Sequence, residues 1–202
     1  MNWDFKNAEE LIDLCNKKDM FISEVMIRRE MQLGETRRDT IMDHVDENLR
    51  VMNTAVERPI SEPTRSMGGL IGGEAAKLNN LDESKAICGP AIHRAIINAV
   101  AVAETNACMG VIVAAPTAGS AGVLPAVLLS MYETYDVSID AMRRGLINAG
   151  AIGYIITRNG SVAGAEAGCQ AEVGSASAMA ASALVEILGG TPEQCCHAAS
   201  IA

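Results

Sequence analysis

Aromatic side chains make up only 3% of these 202 residues: two phenylalanines, three tyrosines and a single tryptophan. A core built on stacked rings is therefore excluded, and the 49% hydrophobic content must be supplied by Ala, Val, Ile, Leu and Met. Side chains of that size, with 18 glycines among them, let helices approach closely. The six cysteines (Cys15, Cys88, Cys108, Cys169, Cys195 and Cys196) form no CxxC pair and no zinc-module spacing. Basic residues are outnumbered 16 to 25, for a net charge of −9, which argues against nonspecific binding to nucleic acid. An anionic substrate would need local donors instead of help from the overall field. The opening Asn2-Trp3-Asp4-Phe5-Lys6 is polar, so neither export nor a disulfide framework is expected, and a reducing cytoplasm is. Long uninterrupted apolar runs are missing too. The uncharged stretch 105–132 is broken by Pro116, Gly119, Gly122 and Pro125 and cannot be one membrane-crossing helix.

No segment alternates apolar and polar residues over a useful length, which leaves an all-α fold as the expectation. Ile41, Val45, Leu49, Met52 and Val56 recur at three- and four-residue spacing, one stripe of an amphipathic helix that Pro59 should end. Gly34 interrupts the longer run from Phe21. Arg28, Arg29, Arg37 and Arg38 alternate with Glu30, Glu35 and Asp39, the pattern of a solvated face. After a polar link at 59–65 the chain becomes Ala/Gly-rich. This divides it into an N-terminal helical segment, 1–60, and a compact helical domain, 61–202. Pro90 suits the first turn of a helix that continues through 91–107. Ser138 can cap a helix from Ile139 to about Arg158, closed by Asn159-Gly160. A further helix runs from near Gln170 to Leu188, and Thr191-Pro192-Glu193-Gln194 is a capping box with proline at the first helical position. That last helix has barely begun at Ala202, so the chain is expected to be cut short.

Three segments carry chemistry. Gly168-Cys169-Gln170-Ala171-Glu172-Val173-Gly174 sets a cysteine among small residues, with Glu166 and Glu172 three positions to either side. Small neighbours leave room for a bulky soft-metal ligand, and the alternative is a packed structural cysteine. Ala115-Pro116-Thr117-Ala118-Gly119-Ser120 offers hydroxyls and amides ahead of a helix start, a fit place for a carboxylate. Ser66-Met67-Gly68-Gly69-Leu70-Ile71-Gly72-Gly73-Glu74 offers glycine amides that can face an anion, or simply a turn; it is neither a Walker loop nor a Rossmann fingerprint.

Together with Glu104-Thr105-Asn106-Ala107, Ala149-Gly150-Ala151-Ile152-Gly153, Gly164-Ala165-Glu166-Ala167 and Leu188-Gly189-Gly190-Thr191-Pro192-Glu193-Gln194, these segments resemble the catalytic alpha chain of the iron-sulfur-dependent bacterial L-serine dehydratases. The likeness is strongest over 66–202. It implies a lyase that converts L-serine to pyruvate and ammonia with a 4Fe-4S cluster, in amino-acid degradation feeding gluconeogenesis. Cys169 matches the first of the family's three cluster cysteines. The other two belong to Cys-Asp-Pro and Pro-Cys segments that this chain does not reach. The remaining five cysteines match no ligand position and are read as small helix-packing residues.

On this reading Cys169 is the metal ligand, and Ser66, Gly68, Gly69, Thr117, Gly119 and Ser120 bind substrate. The general base is undetermined among Glu166, Glu172 and His93, whereas His44 and His197 are structural or exposed. L-serine is the expected partner, with a homo- or hetero-oligomer and a separate regulatory beta chain left open, and neither nucleic acid nor membrane is expected. A relative acting on threonine or cysteine, and a non-enzymatic helical interaction domain, are the competing readings.

Overall fold

The computed structural model describes residues 2–81 and 86–202. Among these the fold is all-α, as expected, with ten helices: α1 Ala8–Lys18, α2 Ile22–Leu33, α3 Arg38–Ser61, α4 Glu74–Asn79, α5 Pro90–Ala107, α6 Val123–Tyr135, α7 Ile139–Asn159, α8 Gly164–Ala167, α9 Cys169–Ile187 and α10 Pro192–Ile201. None is long and apolar enough to cross a membrane. The chain forms two compact units, one of Met1–Glu47 with Ser138–Ala202 and one of Asn48–Val137.

Several helix ends follow their local signals. Gly34 closes α2, Pro90 opens α5, and the Ser138 hydroxyl accepts from the Ala141 amide at the start of α7. At α10 both halves of the capping box are present: Thr191 accepts from the Gln194 amide, and Gln194 accepts from that of Thr191.

In the first unit α7 lies along α9 and α9 along α10. Ala149 and Ala151 on α7, with Ala176, Ala180 and Ala183 on α9, are buried, and a side chain at Gly153 would press on the Met179 thioether at 3.1 Å. Small residues at these positions let the two helices approach closely. The amino terminus is pinned by polar and aromatic contacts. Arg29 stacks on Tyr154, 3.6 Å from the ring centroid, and Tyr154 meets Phe5 edge-on. Asp4 accepts from Arg29, Tyr154 and Arg158. Burial raises the Asp4 carboxyl, but these bonds outweigh it and hold the group below its ordinary value. Arg29 thus corrects the expectation of a solvated basic face: its side chain is only 11% exposed, because an aromatic face and a carboxylate together replace its water.

Between α2, α7 and α9 lies a buried carboxyl. Glu186 is 2% exposed and accepts from the Ser23 amide (3.3 Å) and from Asn148 Nδ2 (2.7 Å); Asn148 Oδ1 in turn accepts from Ser182. Its Oε1 has no partner, and burial raises the carboxyl above its ordinary value in spite of those bonds and the Arg144 charge.

The second unit corrects the expected end of α3. Pro59 lies inside the last turn, and the helix continues to Ser61. A proline there leaves the carbonyl four residues earlier, that of Ala55, without its helical N–H. The Thr105 hydroxyl of α5 supplies the missing donor at 2.7 Å. The helix therefore survives the proline because another helix completes its hydrogen bonding. Gly122, just before α6, approaches α5 so closely that a Cβ would sit 2.9 Å from the Ala99 carbonyl.

Two outcomes are expected. Thr105→Val leaves the Ala55 carbonyl unpaired and costs about 1–3 kcal/mol in denaturant unfolding, whereas in a Pro59→Ala background, where the helix regains its own N–H, the same change costs less than about 1 kcal/mol. Glu186 binds its proton more tightly folded than unfolded, so it lowers stability as pH rises from the ordinary value, 4.5, through the raised folded value. Glu186→Gln should flatten that decline in unfolding curves taken across this range.

Candidate functional site

Three consecutive residues at the end of α5 each hold a different segment of the second unit. Glu104 is 2% exposed and accepts from the Gly73 amide at 3.0 Å and the Ala75 amide at 2.7 Å, pairing N–H groups that open α4. Thr105 holds α3 as described. Asn106 donates from Nδ2 to the Ala118 carbonyl at 3.1 Å. The glycine-rich loop 66–74 and the loop 115–122 are thereby fastened to the last turn of α5. None of these three roles was read from the sequence, although a Glu-Thr-Asn triplet directly after the apolar run 99–103 was the available signal.

The glycine loop is mostly satisfied from within. Ser66 accepts from Gly69 through its carbonyl and from Ile71 through its hydroxyl, and its amide donates to the Ile71 carbonyl. The Gly72 amide donates to Glu74 at 2.7 Å, a bond that leads the lowering of the Glu74 carboxyl below its ordinary value. Gly72 has φ 134°, and a Cβ there would overlap the Thr64 carbonyl, so only glycine serves. Gly68 and Gly69 are exposed at the tip, and Ser66 is half-buried beneath them.

In the second loop Ser120 is buried, at 2% exposure. Its hydroxyl donates to the Ala115 carbonyl (3.2 Å), accepts from the Thr117 amide (3.4 Å) and lies 3.2 Å from the Thr117 hydroxyl. The Ala115–Pro116 peptide is cis. Thr117 is half-buried and Gly119 exposed. The amides of Ala118, Gly119 and Ser120 have no acceptor among the described residues. Consecutive unpaired amides of this kind are an anion-binding feature of loops.

Cys169 stands in the other unit, exposed, as the first residue of α9. Glu166 on α8 is exposed and accepts from the Ser161 hydroxyl at 2.5 Å. Glu172 is half-buried, its carboxylate so near Gly164 that a Cβ there would meet it at 2.9 Å. His93 on α5 is buried, and its Nε2 has no hydrogen-bond partner. His44 and His197 are exposed.

Of the other cysteines, Cys15, Cys195 and Cys196 are buried as expected, whereas Cys88 is exposed and Cys108 half-buried, both beyond the ends of α5 and outside the core. Burial, then the Glu186 charge, pushes Cys15 and Cys195 up to about 12; burial and Glu193 push Cys196 to about 11. Burial thus disfavours the thiolate, the form that binds metal, at all three. An iron-sulfur cluster requires several thiolates. No group of three or more His, Cys, Asp or Glu among the described residues could hold a metal ion. With one accessible thiol at the candidate position, these residues do not by themselves fit a cluster.

Residues 17–202 match the protein-family model described as serine dehydratase alpha chain. The probable L-serine dehydratase alpha chain of Bacillus subtilis (strain 168) is 47% identical over 198 residues, covering 98% of this chain and 66% of that protein. The L-serine dehydratase alpha chain of Peptoniphilus asaccharolyticus is 40% identical over 195 residues, covering 96% and 67%. L-serine dehydratase 1 of Escherichia coli (strain K12) is 37% identical over 209 residues, covering 98% and 44%. The chain thus spans about two thirds of the two alpha chains and under half of the E. coli protein.

Glu104→Gln presents an NH2 where one of the two amides needs an acceptor. It should destabilise the protein by about 1–3 kcal/mol and speed hydrogen exchange at the Gly73 or Ala75 amide, without comparable change at Ala141 on α7.

Proposed function

Because the chain belongs to the serine dehydratase alpha chain family, we propose that it works in an L-serine ammonia-lyase. The reaction removes the Cα proton and the β-hydroxyl of L-serine as water, leaving an enamine. That enamine tautomerises to an imine, and water hydrolyses the imine to pyruvate and ammonia. The observation that carries the substrate site is the run of unpaired amides at Ala118, Gly119 and Ser120, beside the Thr117 hydroxyl. These donors take the serine carboxylate, and Asn106 and the buried Ser120 hydroxyl hold the loop in the shape that exposes them. The tip of the glycine loop, with Ser66, Gly68 and Gly69, closes on the same substrate. Its attachment through Glu104 to the turn of α5 that also holds the Thr117 loop supports this.

The base that takes the Cα proton is drawn from His93, Glu166 and Glu172. His93 has an unpartnered Nε2, and the two carboxylates flank Cys169 in sequence. Cys169 is proposed as the one thiolate that this chain offers to a 4Fe-4S cluster, with the other ligands coming from outside the described residues. The names of the two alpha-chain relatives support pairing with a separate beta chain, which would make a hetero-oligomer; without one the assembly is a homo-oligomer. The catalytic part is assigned to 61–202, and 1–60 is assigned to packing.

In an enzyme assembled with its remaining cluster ligands, Thr117→Ala should raise KM for L-serine about tenfold or more, the loss of one hydrogen bond to a charged group, and leave bound iron unchanged. Cys169→Ser should do the reverse, lowering iron after anaerobic incubation with iron and sulfide and abolishing pyruvate formation. Assays with L-serine, L-threonine and L-cysteine measure the preference. Loss of iron in Thr117→Ala, or full iron and turnover in Cys169→Ser, would reverse these assignments.

A further inference from the structure

At the opposite end of α5 from the two loops, the second unit contains a cavity of about 840 Å³, lined by the last turns of α3, the first half of α5, the end of α6 and Asn79 of α4. We propose that this cavity binds a small primary ammonium carrying an acceptor oxygen close to the nitrogen, the chemistry shared by small amino acids and amino alcohols.

The decisive residue is Asn98. It lines the cavity and is 0% exposed, and neither its Oδ1 nor its Nδ2 makes a hydrogen bond. A buried amide with both ends unpaired is destabilising, and a helix facing a core would ordinarily carry Leu or Ala there. One end is an acceptor and the other a donor, so a matching ligand must bring a donor and an acceptor close together.

The charges around Asn98 say which donor. Glu133 and Glu57 both line the cavity, as does Arg94, which pairs with Glu133 at 3.2 Å and donates to Asn79 at 2.9 Å. Among the described lining residues, two carboxylates against one guanidinium favour a cation over a free anion. Burial raises the Glu133 carboxyl above its ordinary value, and the Glu57 charge adds to this; Arg94, and the Asn98 amide that faces it without completing a hydrogen bond, oppose it only in part. An ammonium between Glu133 and Asn98 Oδ1 would relieve that repulsion. The ligand's acceptor oxygen then takes Asn98 Nδ2. Ile60 and Pro90 on the wall suit a short carbon skeleton.

This site is independent of the proposed substrate loop, which Asn106 holds at the other end of the helix. The test is an 15N NMR titration of the 202-residue protein, reading the Asn98 side-chain NH2 signal, identified by its loss in Asn98→Leu. The probes are L-alanine, which has no β-hydroxyl to eliminate, ethanolamine and propionate. L-alanine or ethanolamine should shift the signal saturably, and the better of the two identifies the acceptor as carboxylate or hydroxyl; propionate should not shift it. By calorimetry Glu133→Gln and Asn98→Leu should each weaken binding about tenfold or more. Thr117→Ala should leave it unchanged, so that failure here is separable from failure of the substrate site. Asn98→Leu should also keep or raise Tm, since it removes an unpaired amide. No saturable shift with either amine, an equal shift with propionate, unweakened binding in both cavity variants, or a clear fall in Tm for Asn98→Leu would overturn the proposal.

Discussion

A carboxylate taken out of water must find donors, and Glu104 finds them in the backbone amides of Gly73 and Ala75. From that requirement the rest of the second unit's site follows. The pair of bonds caps α4, a helix of six residues too short to persist on its own, and fixes the exit of the glycine loop. The two residues after Glu104 continue the same accounting. Thr105 supplies the donor that Pro59 withholds from Ala55, and Asn106 takes the Ala118 carbonyl. One helical turn thus converts three polar side chains into the fixed positions of two loops and a neighbouring helix.

The first unit solves the problem of a buried carboxyl differently. Glu186 meets one backbone amide and the Asn148 side chain through a single oxygen and leaves the other unpaired, so burial prevails and the group holds its proton above the ordinary carboxyl range. The three thiols Cys15, Cys195 and Cys196 share this interior and are raised with it. Cys169, exposed at the opening of α9, stands in a different environment. The contrast of burial separates Cys169 from these three cysteines, which composition cannot do.

Scarcity of aromatics shapes both units. With Ala and Gly at the α7–α9 contact, these helices lie close enough for Ser182 and Glu186 of α9 to bond the Asn148 side chain of α7, and Gly122 lets the start of α6 approach α5. The few rings present have specific work, as where Tyr154 carries Arg29 on its face and receives Phe5 at its edge.

Helix type, the absence of strands among the described residues and the ends of α2, α5, α7 and α10 were legible in the sequence, because glycine, proline and hydroxyl caps act on the backbone within a few residues. So were the segments resembling a known family, which rest on residue identity alone. Hidden were α4, the continuation of α3 past Pro59, the burial of Arg29 and the unpaired Asn98. Each depends on a group distant along the chain: Glu104 lies 29 residues from Ala75 in α4's first turn, and Thr105 50 from Ala55. Local sequence determined which segments are helical and where several of them stop, since those free energies are settled between neighbours. Tertiary structure decided which polar groups are satisfied and which are left open, since a hydrogen bond or a buried charge is settled only when both partners have been brought together.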